Sequence, residues 1–314
     1  MLRMYGEEET DVRVLVTGGC GFIGRHLCTR LIADGHTVRV LDDLSTGQRD
    51  LLPDGAELVV GDVARAGDVD AAMAAVDRCV HLAAIASVPQ CQADWTRASS
   101  VNLIGTVNVL AAAARHDSVP VVYASSAAVY GPATPPCRED ATPEPLSNYG
   151  VDKLASEWQA RVAGRTTGVP TFGLRFFNVF GPGQDPSSPY SGVITHFATA
   201  LTDGRRPVIY GSGEQTRDFV FVGDVVEAID LAMAHADVQA PVVNVCTGQA
   251  IDLITLVREM ATIMAKDPTV EHAPARVGDI VHSRGDASKA AEALGFRART
   301  TLRAGLRDLL IPGR

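Results

Sequence analysis

One stretch, Val16-Thr17-Gly18-Gly19-Cys20-Gly21-Phe22-Ile23-Gly24, limits what this chain can become more than any other. It follows an apolar, β-branched run at Val12–Thr17 and opens a helical pattern over Phe22–Ala33. Glycines 18, 21 and 24 satisfy GxxGxxG, while 19, 21 and 24 satisfy GxGxxG. Backbone without Cβ atoms turns tightly and lets a pyrophosphate reach the exposed N–H groups of a helix N-terminus. The next strand, Thr37–Leu41, runs into Asp42-Asp43. An acid about 20 residues past the glycines is placed to accept hydrogen bonds from adenosine ribose hydroxyls. The same charge repels a 2′-phosphate, so NAD is favoured over NADP.

The pattern then repeats. Glu57–Val60, Arg78–His81, Val121–Ala124 and Thr171–Arg175 read as further strands, most of them nearly continuous apolar runs. Between them Asp68–Val76, Trp95–Arg115 and Tyr149–Gly164 have helical spacing. Repeated βα units predict a doubly wound parallel sheet. After Asn178 glycines and prolines crowd together, and helices near 193–203, 225–235, 253–265, 288–294 and 302–310 accompany short strands at 208–210 and 242–245. The expected division is a dinucleotide-binding part over 11–177, with elements of about 216–247 returning to it. A smaller lobe is expected over 178–215 and 248–314, and a frayed extension over 1–10.

Composition removes whole classes. Asp and Glu outnumber Lys and Arg by 37 to 28, for a net charge of −9, which argues against a nucleic-acid partner. No apolar run approaches a bilayer span, and Met1–Thr10 lacks the apolar core of a secretory signal. The six cysteines are scattered without CxxC or zinc spacing, so no metal is expected and reduced thiols in the cytoplasm are.

Strand C-termini in such a sheet face the cofactor crevice. Asp62 in Gly61-Asp62-Val63 is placed to meet an adenine amine, although Gly-Asp is also a common turn pair. Leu82-Ala83-Ala84 follow the fourth strand with side chains small enough for close approach, and His81 before them fits a structural histidine. Tyr149-Gly150-Val151-Asp152-Lys153 is YxxxK, which puts phenol and ammonium on one helix face. The cation is expected to lower the tyrosine pKa and poise a base for a sugar hydroxyl. Ser125-Ser126 follow the fifth strand, and Ser126 can hold the same substrate oxygen as Tyr149. No nucleophile elbow or Ser-His-Asp set accompanies them.

With these motifs in place, the chain resembles the extended short-chain dehydrogenase/reductases of the NAD-dependent sugar epimerase/dehydratase group. The matching pieces run from TGGCGFIG (17–24) through NYGVDK (148–153) and LRFFNVFGPGQDP (174–186) to YGSGEQTRDFVFVGDV (210–225) and RVGD (276–279). Within that group it looks most like the UDP-hexose 4-epimerases. The resemblance implies a Rossmann-type fold and bound NAD. It implies cofactor contacts from Gly18, Gly21, Phe22, Ile23, Gly24, Asp42, Asp43, Asp62, Val63, Leu82, Ala83, Ala84, Ser125, Tyr149, Lys153 and Phe176, with Asn102 beneath the loop. Ser126 and Tyr149 would flank the sugar O4, with Lys153 completing the catalytic set. Asn178, Arg217 and Arg276 would hold a UDP diphosphate, and Val193, Val208 and Tyr210 would lie by the uracil. The resemblance also implies a homodimer through the helices near Trp95–Arg115 and Tyr149–Gly164.

Absences choose among relatives. The 4,6-dehydratases and decarboxylases of the group carry an acid just after the serine or threonine, where this chain has Ala127 and Ala128. A UDP-glucuronate 4-epimerase stays open, as does another nucleotide-sugar dehydratase or reductase of the group. A C-terminal position that restricts the sugar 2-substituent when aromatic aligns with Ser283, which implies room for an N-acetyl group. Two departures stand out: Asp152 where Ser is usual, and Phe176 where Tyr is common.

Overall fold

Apolar runs that cannot stay in water supply the strands of one parallel sheet in the computed structural model, which describes residues 12–184, 192–275 and 280–311. The chain begins β1 (Arg13–Thr17), α1 (Phe22–Ala33), β2 (Thr37–Asp42), β3 (Glu57–Val60), α2 (Ala66–Met73) and β4 (Arg78–His81). It continues α3 (Val88–Ala93), α4 (Trp95–Ser99), α5 (Gly105–Arg115), β5 (Val121–Ser126), α6 (Asn148–Thr167) and β6 (Thr171–Phe176). Then come β7 (Asn178–Phe180), α7 (Val193–Thr202), β8 (Val208–Tyr210), β9 (Thr216–Phe221), α8 (Val222–Met233) and β10 (Val242–Val245). The last elements are β11 (Ala250–Asp252), α9 (Leu253–Met264), β12 (Glu271–Ala273), α10 (Ser288–Leu294) and α11 (Leu302–Leu310).

The large sheet has the order β10-β6-β5-β4-β1-β2-β3. Its winding reverses between β1 and β4, which lie side by side with Thr17 opposite His81. A crevice therefore opens at the carboxyl ends of those two strands. Alternation along β1 sends Val14 and Val16 to one core, Leu15 to the other. The first core includes Leu27 and Leu31 of α1 with Val225 and Ile229 of α8; the second includes Val69 of α2, Val109 of α5 and Ala160 of α6. Smaller sheets, β11-β9-β7 and β12-β8, flank a third core around Phe180, Phe197, Ile209 and Leu256. β10 joins the large sheet beside β6, whereas β9 belongs to the three-stranded one.

The structure adds two features to the sequence reading. The helix expected over Trp95–Arg115 is interrupted: a π turn at Ser100–Ile104 separates α4 from α5. One widened turn leaves the apolar spacing on either side intact, so a period count cannot see it. The segment before it, to which the sequence reading assigned no element, forms α3, with Ser87 Oγ accepting from the Gln90 N–H at 3.2 Å.

Candidate active site

The glycine loop joins β1 to α1 at the switch point. Gly18 has φ +72°, and a Cβ there would lie 2.6 Å from the Ala83 nitrogen. A Cβ on Gly24 would collide with the Gly18 carbonyl. Gly21 caps α1 with no side-chain hydrogen bond, and no acid stands in the first turn. The first amides of α1, at Phe22 and Ile23, are thus left without a capping group, as an anion site requires.

Asp42 ends β2, buried. Its Oδ2 accepts from the Cys20 N–H at 3.0 Å and its Oδ1 from the Leu44 N–H at 2.9 Å. Burial raises its pKa and the two amides pull it back. A carboxylate has about four acceptor positions, so two are free for ribose hydroxyls. Asp43 Oδ1 accepts from Ser45 N and Oγ. Arg97 of α4 joins the next two acids, donating to Asp62 Oδ2 at 2.8 Å and Asp43 Oδ2 at 3.3 Å. Partial burial opposes ionisation of Asp62, but the Ala64 amide and Arg97 outweigh it and lower its pKa. Val63 beside it is buried. Nothing in the sequence singles out Arg97, because both partners are remote in the chain.

Past β4, Leu82 N donates to Thr17 O at 3.0 Å and Ala83 N to Thr17 Oγ1 at 3.3 Å, with Ala84 following. Asn102, fully buried in the π turn, clamps Ile85 by accepting from its N–H at 2.8 Å and donating to its carbonyl at 3.1 Å. His81 is structural. Thr106 donates its hydroxyl hydrogen to Asn102 O at 2.7 Å, so its oxygen accepts from His81 Nε2–H at 3.2 Å. His81 Nδ1 then accepts from Thr17 Oγ1 at 2.7 Å. Burial, aided by Lys153, lowers this histidine to about 3.

Ser126 ends β5, its hydroxyl accepting from the Ala128 N–H at 3.1 Å and favouring the ionised form of the Tyr149 phenol. Tyr149 and Lys153 are one turn apart on α6, whose start is fixed by Ser147 Oγ accepting from the Gly150 N–H at 3.1 Å. Lys153 Nζ donates to Ala124 O at 2.9 Å and lies 5.8 Å from the Tyr149 ring centroid. The expectation of an acidic phenol does not hold for the protein alone: burial pushes Tyr149 up to about 12, more than Ser126 lowers it. The ammonium is itself penalised by burial, which lowers Lys153 to about 8. In the protein alone the phenol is therefore protonated at neutral pH.

Ser125 turns away from this centre. Its hydroxyl is donated to Glu157, which pairs with Arg175 through two hydrogen bonds of 2.8 and 2.7 Å. Any contact from Ser125 to a cofactor would have to use its backbone. Phe176 ends β6, buried and opposite Ser126 in register.

On the other side, Val193, Val208, Tyr210 and Arg217 line one cavity of about 180 Å³ with Phe197 and Gln215. Alternation in β8 buries Ile209 and leaves Val208 and Tyr210 exposed beside it. Arg217 Nη1 donates to Thr216 O at 2.9 Å, and Ser283 N donates to the same oxygen at 3.1 Å. Asn178 opens β7, exposed and opposite Phe219 of β9. Arg276 lies outside the described residues. Asp218, to which no local signal points, is fully buried and accepts from Thr247 N and Oγ1, Gly248 N and Gly285 N at 2.6–3.3 Å. It ties the strand carrying Arg217 to the turn after β10 and to the stretch after Ser283.

All six cysteines are buried and unpaired. No described helix is long and apolar enough to cross a membrane. The family model described as NAD dependent epimerase/dehydratase family matches residues 14–246. A UDP-glucose 4-epimerase of Mycolicibacterium smegmatis is 36% identical over 303 residues, covering 94% of this chain and 96% of that protein. The crystal structure of UDP-glucose 4-epimerase with UDP-glucose from Thermotoga maritima superposes with a TM-score of 0.92 at 32% identity, covering 95% of this chain and 97% of that one. UDP-N-acetylglucosamine 4-epimerase from Methanobrevibacter ruminantium, in complex with UDP-N-acetylmuramic acid, gives 0.91 at 33% identity over 96% and 97%. Matched along most of its length in sequence and in fold, the chain belongs to the NAD-dependent epimerase/dehydratase family.

Proposed function

We propose that this nucleotide-sugar epimerase inverts C4 of a UDP-hexose, interconverting UDP-glucose and UDP-galactose through a transient 4-keto sugar. The observation that carries this is Tyr149 one helical turn from Lys153, whose Nζ lies 5.8 Å from its ring centroid, with Ser126 at the end of β5 lowering the phenol's pKa and alanine at 127 and 128. Alanines transfer no protons, so the pair is equipped for oxidation and reduction at one carbon and not for expelling water.

The crevice fits NAD: the glycine turn admits a pyrophosphate, the uncapped start of α1 attracts it, and Asp42 has acceptors to spare for a ribose. Bound NAD supplies a positive ring that favours the phenolate and an acceptor that takes hydride from C4 and returns it. The remaining steps belong to the chain. Ser126 holds the sugar O4, Tyr149 takes its proton and later gives it back, and Lys153 supplies positive charge beneath the ring. Arg217, with Arg276 and Asn178, grips the diphosphate, a role a guanidinium fork suits. Val193, Val208 and Tyr210 take the uracil. Held by the diphosphate alone, the keto sugar can turn its other face to the crevice before reduction.

Ser283 is small and sits beside β9, which supports acceptance of UDP-GlcNAc and UDP-GalNAc as well. Exposed Val151, Trp158 and Val162 recur on one face of α6, with Trp95 and Ile104 exposed on the neighbouring segment. This apolar face supports a homodimer. The direct test is an NMR assay of the purified protein against UDP-, dTDP- and GDP-sugars, including UDP-glucuronate, with no added reductant. Epimerisation of UDP-glucose that falls at least a hundredfold in Tyr149→Phe is expected. A Tyr149→Phe enzyme as fast as wild type would refute the mechanism.

A further inference from the structure

We propose that Arg97 is a cofactor-retention residue, a latch that joins Asp43 to Asp62 at the adenosine end of the dinucleotide crevice. The three side chains come from opposite sides of the switch point. Asp43 follows β2 and Asp62 follows β3, on the β1 side, whereas α4 follows β4. The guanidinium divides its terminal nitrogens between the acids, Nη1 donating to Asp62 Oδ2 at 2.8 Å and Nη2 to Asp43 Oδ2 at 3.3 Å. Each carboxylate is also held from its own loop. Asp62 Oδ1 accepts from the Ala64 N–H at 2.9 Å, and Asp43 Oδ1 from Ser45 N at 3.0 Å and Ser45 Oγ at 2.6 Å. Asp94 Oδ1 accepts from the Arg97 N–H at 3.0 Å and so fixes the start of the helix that carries the arginine.

Such a bridge does little for the fold. The Arg97 side chain is 40% exposed, those of Asp43 and Asp62 32% and 19%, and ion pairs this open to water contribute little stability. Its place is what matters. Asp42, next in the chain to Asp43, has acceptors left for a ribose, and Asp62 is placed for an adenine amine. Without Arg97 the three acids would crowd the mouth of a crevice that must admit a negatively charged pyrophosphate. Arg65 also acts on Asp62, but from the β3 side, so it brings charge without bringing α4. With the crevice read as the NAD site, on which this inference rests, Arg97 both offsets the acids and ties α4 across the adenosine end, slowing release of the dinucleotide.

The test is isothermal titration with NAD, and with AMP as the adenosine half alone, together with stopped-flow release of NADH. Arg97→Ala is expected to weaken NAD and AMP at least about tenfold, chiefly through faster dissociation, with the melting temperature of the free protein unchanged. A merely structural role would lower that temperature instead. Arg97→Lys keeps the charge, but a single ammonium on a flexible stem does not reproduce a planar fork shared by two carboxylates, so it is expected to lose affinity as the alanine variant does. Arg65→Ala removes an equal charge near Asp62 and is expected to leave AMP binding within about twofold of wild type. Unchanged NAD and AMP affinity in Arg97→Ala, beside a weakened Gly18→Ala, overturns the latch and leaves the crevice reading standing. Equal losses in Arg65→Ala and Arg97→Ala overturn it too, because charge alone then accounts for both. Retention of NAD that depends on Arg97, in a protein that epimerises no nucleotide sugar, upholds the latch and removes the proposed C4 epimerisation instead.

Discussion

His81 makes acid sensitivity calculable. The residue is 3% exposed and held neutral between Thr17 and Thr106, with a pKa lowered by burial from 6.5 to about 3. Above the ordinary histidine range neither folded nor unfolded chain binds the proton. As pH falls through 6.5 the unfolded chain takes it up while the folded one refuses, so stability is lost progressively until about pH 3. Each pH unit in that window is worth about 1.4 kcal/mol, which gives a loss of about 2 kcal/mol by pH 5, before most carboxylates titrate. For a urea slope of about 3 kcal/mol per molar, the midpoint drops by on the order of half a molar between pH 7 and pH 5. His26, lowered mainly by burial, acts in the same direction, so the test is a difference. His81→Gln keeps a donor for Thr106 but cannot be protonated in this range. The variant starts from lower stability and loses less of it on acidification, by about 2 kcal/mol at pH 5. Urea unfolding followed by tryptophan fluorescence at half-unit pH steps measures both curves. Parallel decline of wild type and His81→Gln between pH 7 and 5 refutes the reasoning.

Two further outcomes follow from the same geometry. Gly18→Ala forces a left-handed alanine, at about 1–2 kcal/mol, and pushes a methyl group against Ala83; isothermal titration with NAD should show affinity at least about tenfold weaker. Trp158→Glu places a charge on the exposed α6 stripe; if the proposed interface holds, sedimentation velocity should show a dimer for wild type and a monomer for the variant, and an equal mass for the two would refute it.

What could be read from the sequence was what neighbours in the chain decide. The nearly continuous apolar strands of the sheet, the glycine turn, Asp42 after β2, and the Tyr149–Lys153 pair all follow from local spacing, and the structure puts the strands in one sheet with the glycine turn at its switch point. Through-space relations stayed hidden: Arg97 joining Asp43 to Asp62, Asp218 gathering four donors, Ser125 turned to Glu157. The phenol shows why this matters for function. YxxxK correctly sets a cation one helical turn from Tyr149, and from that spacing alone the tyrosine ought to be acidic. Burial reverses the outcome, because the fold that brings Lys153 beneath the ring also strips water from both groups. A permanently ionised phenolate in so dry a site would cost more than the lysine returns. The protein alone thus holds a weak acid, and on the proposed mechanism the charge that makes it a base would come with the oxidised dinucleotide. On the mechanism proposed above, proton removal by Tyr149 is thereby coupled to the presence of a hydride acceptor.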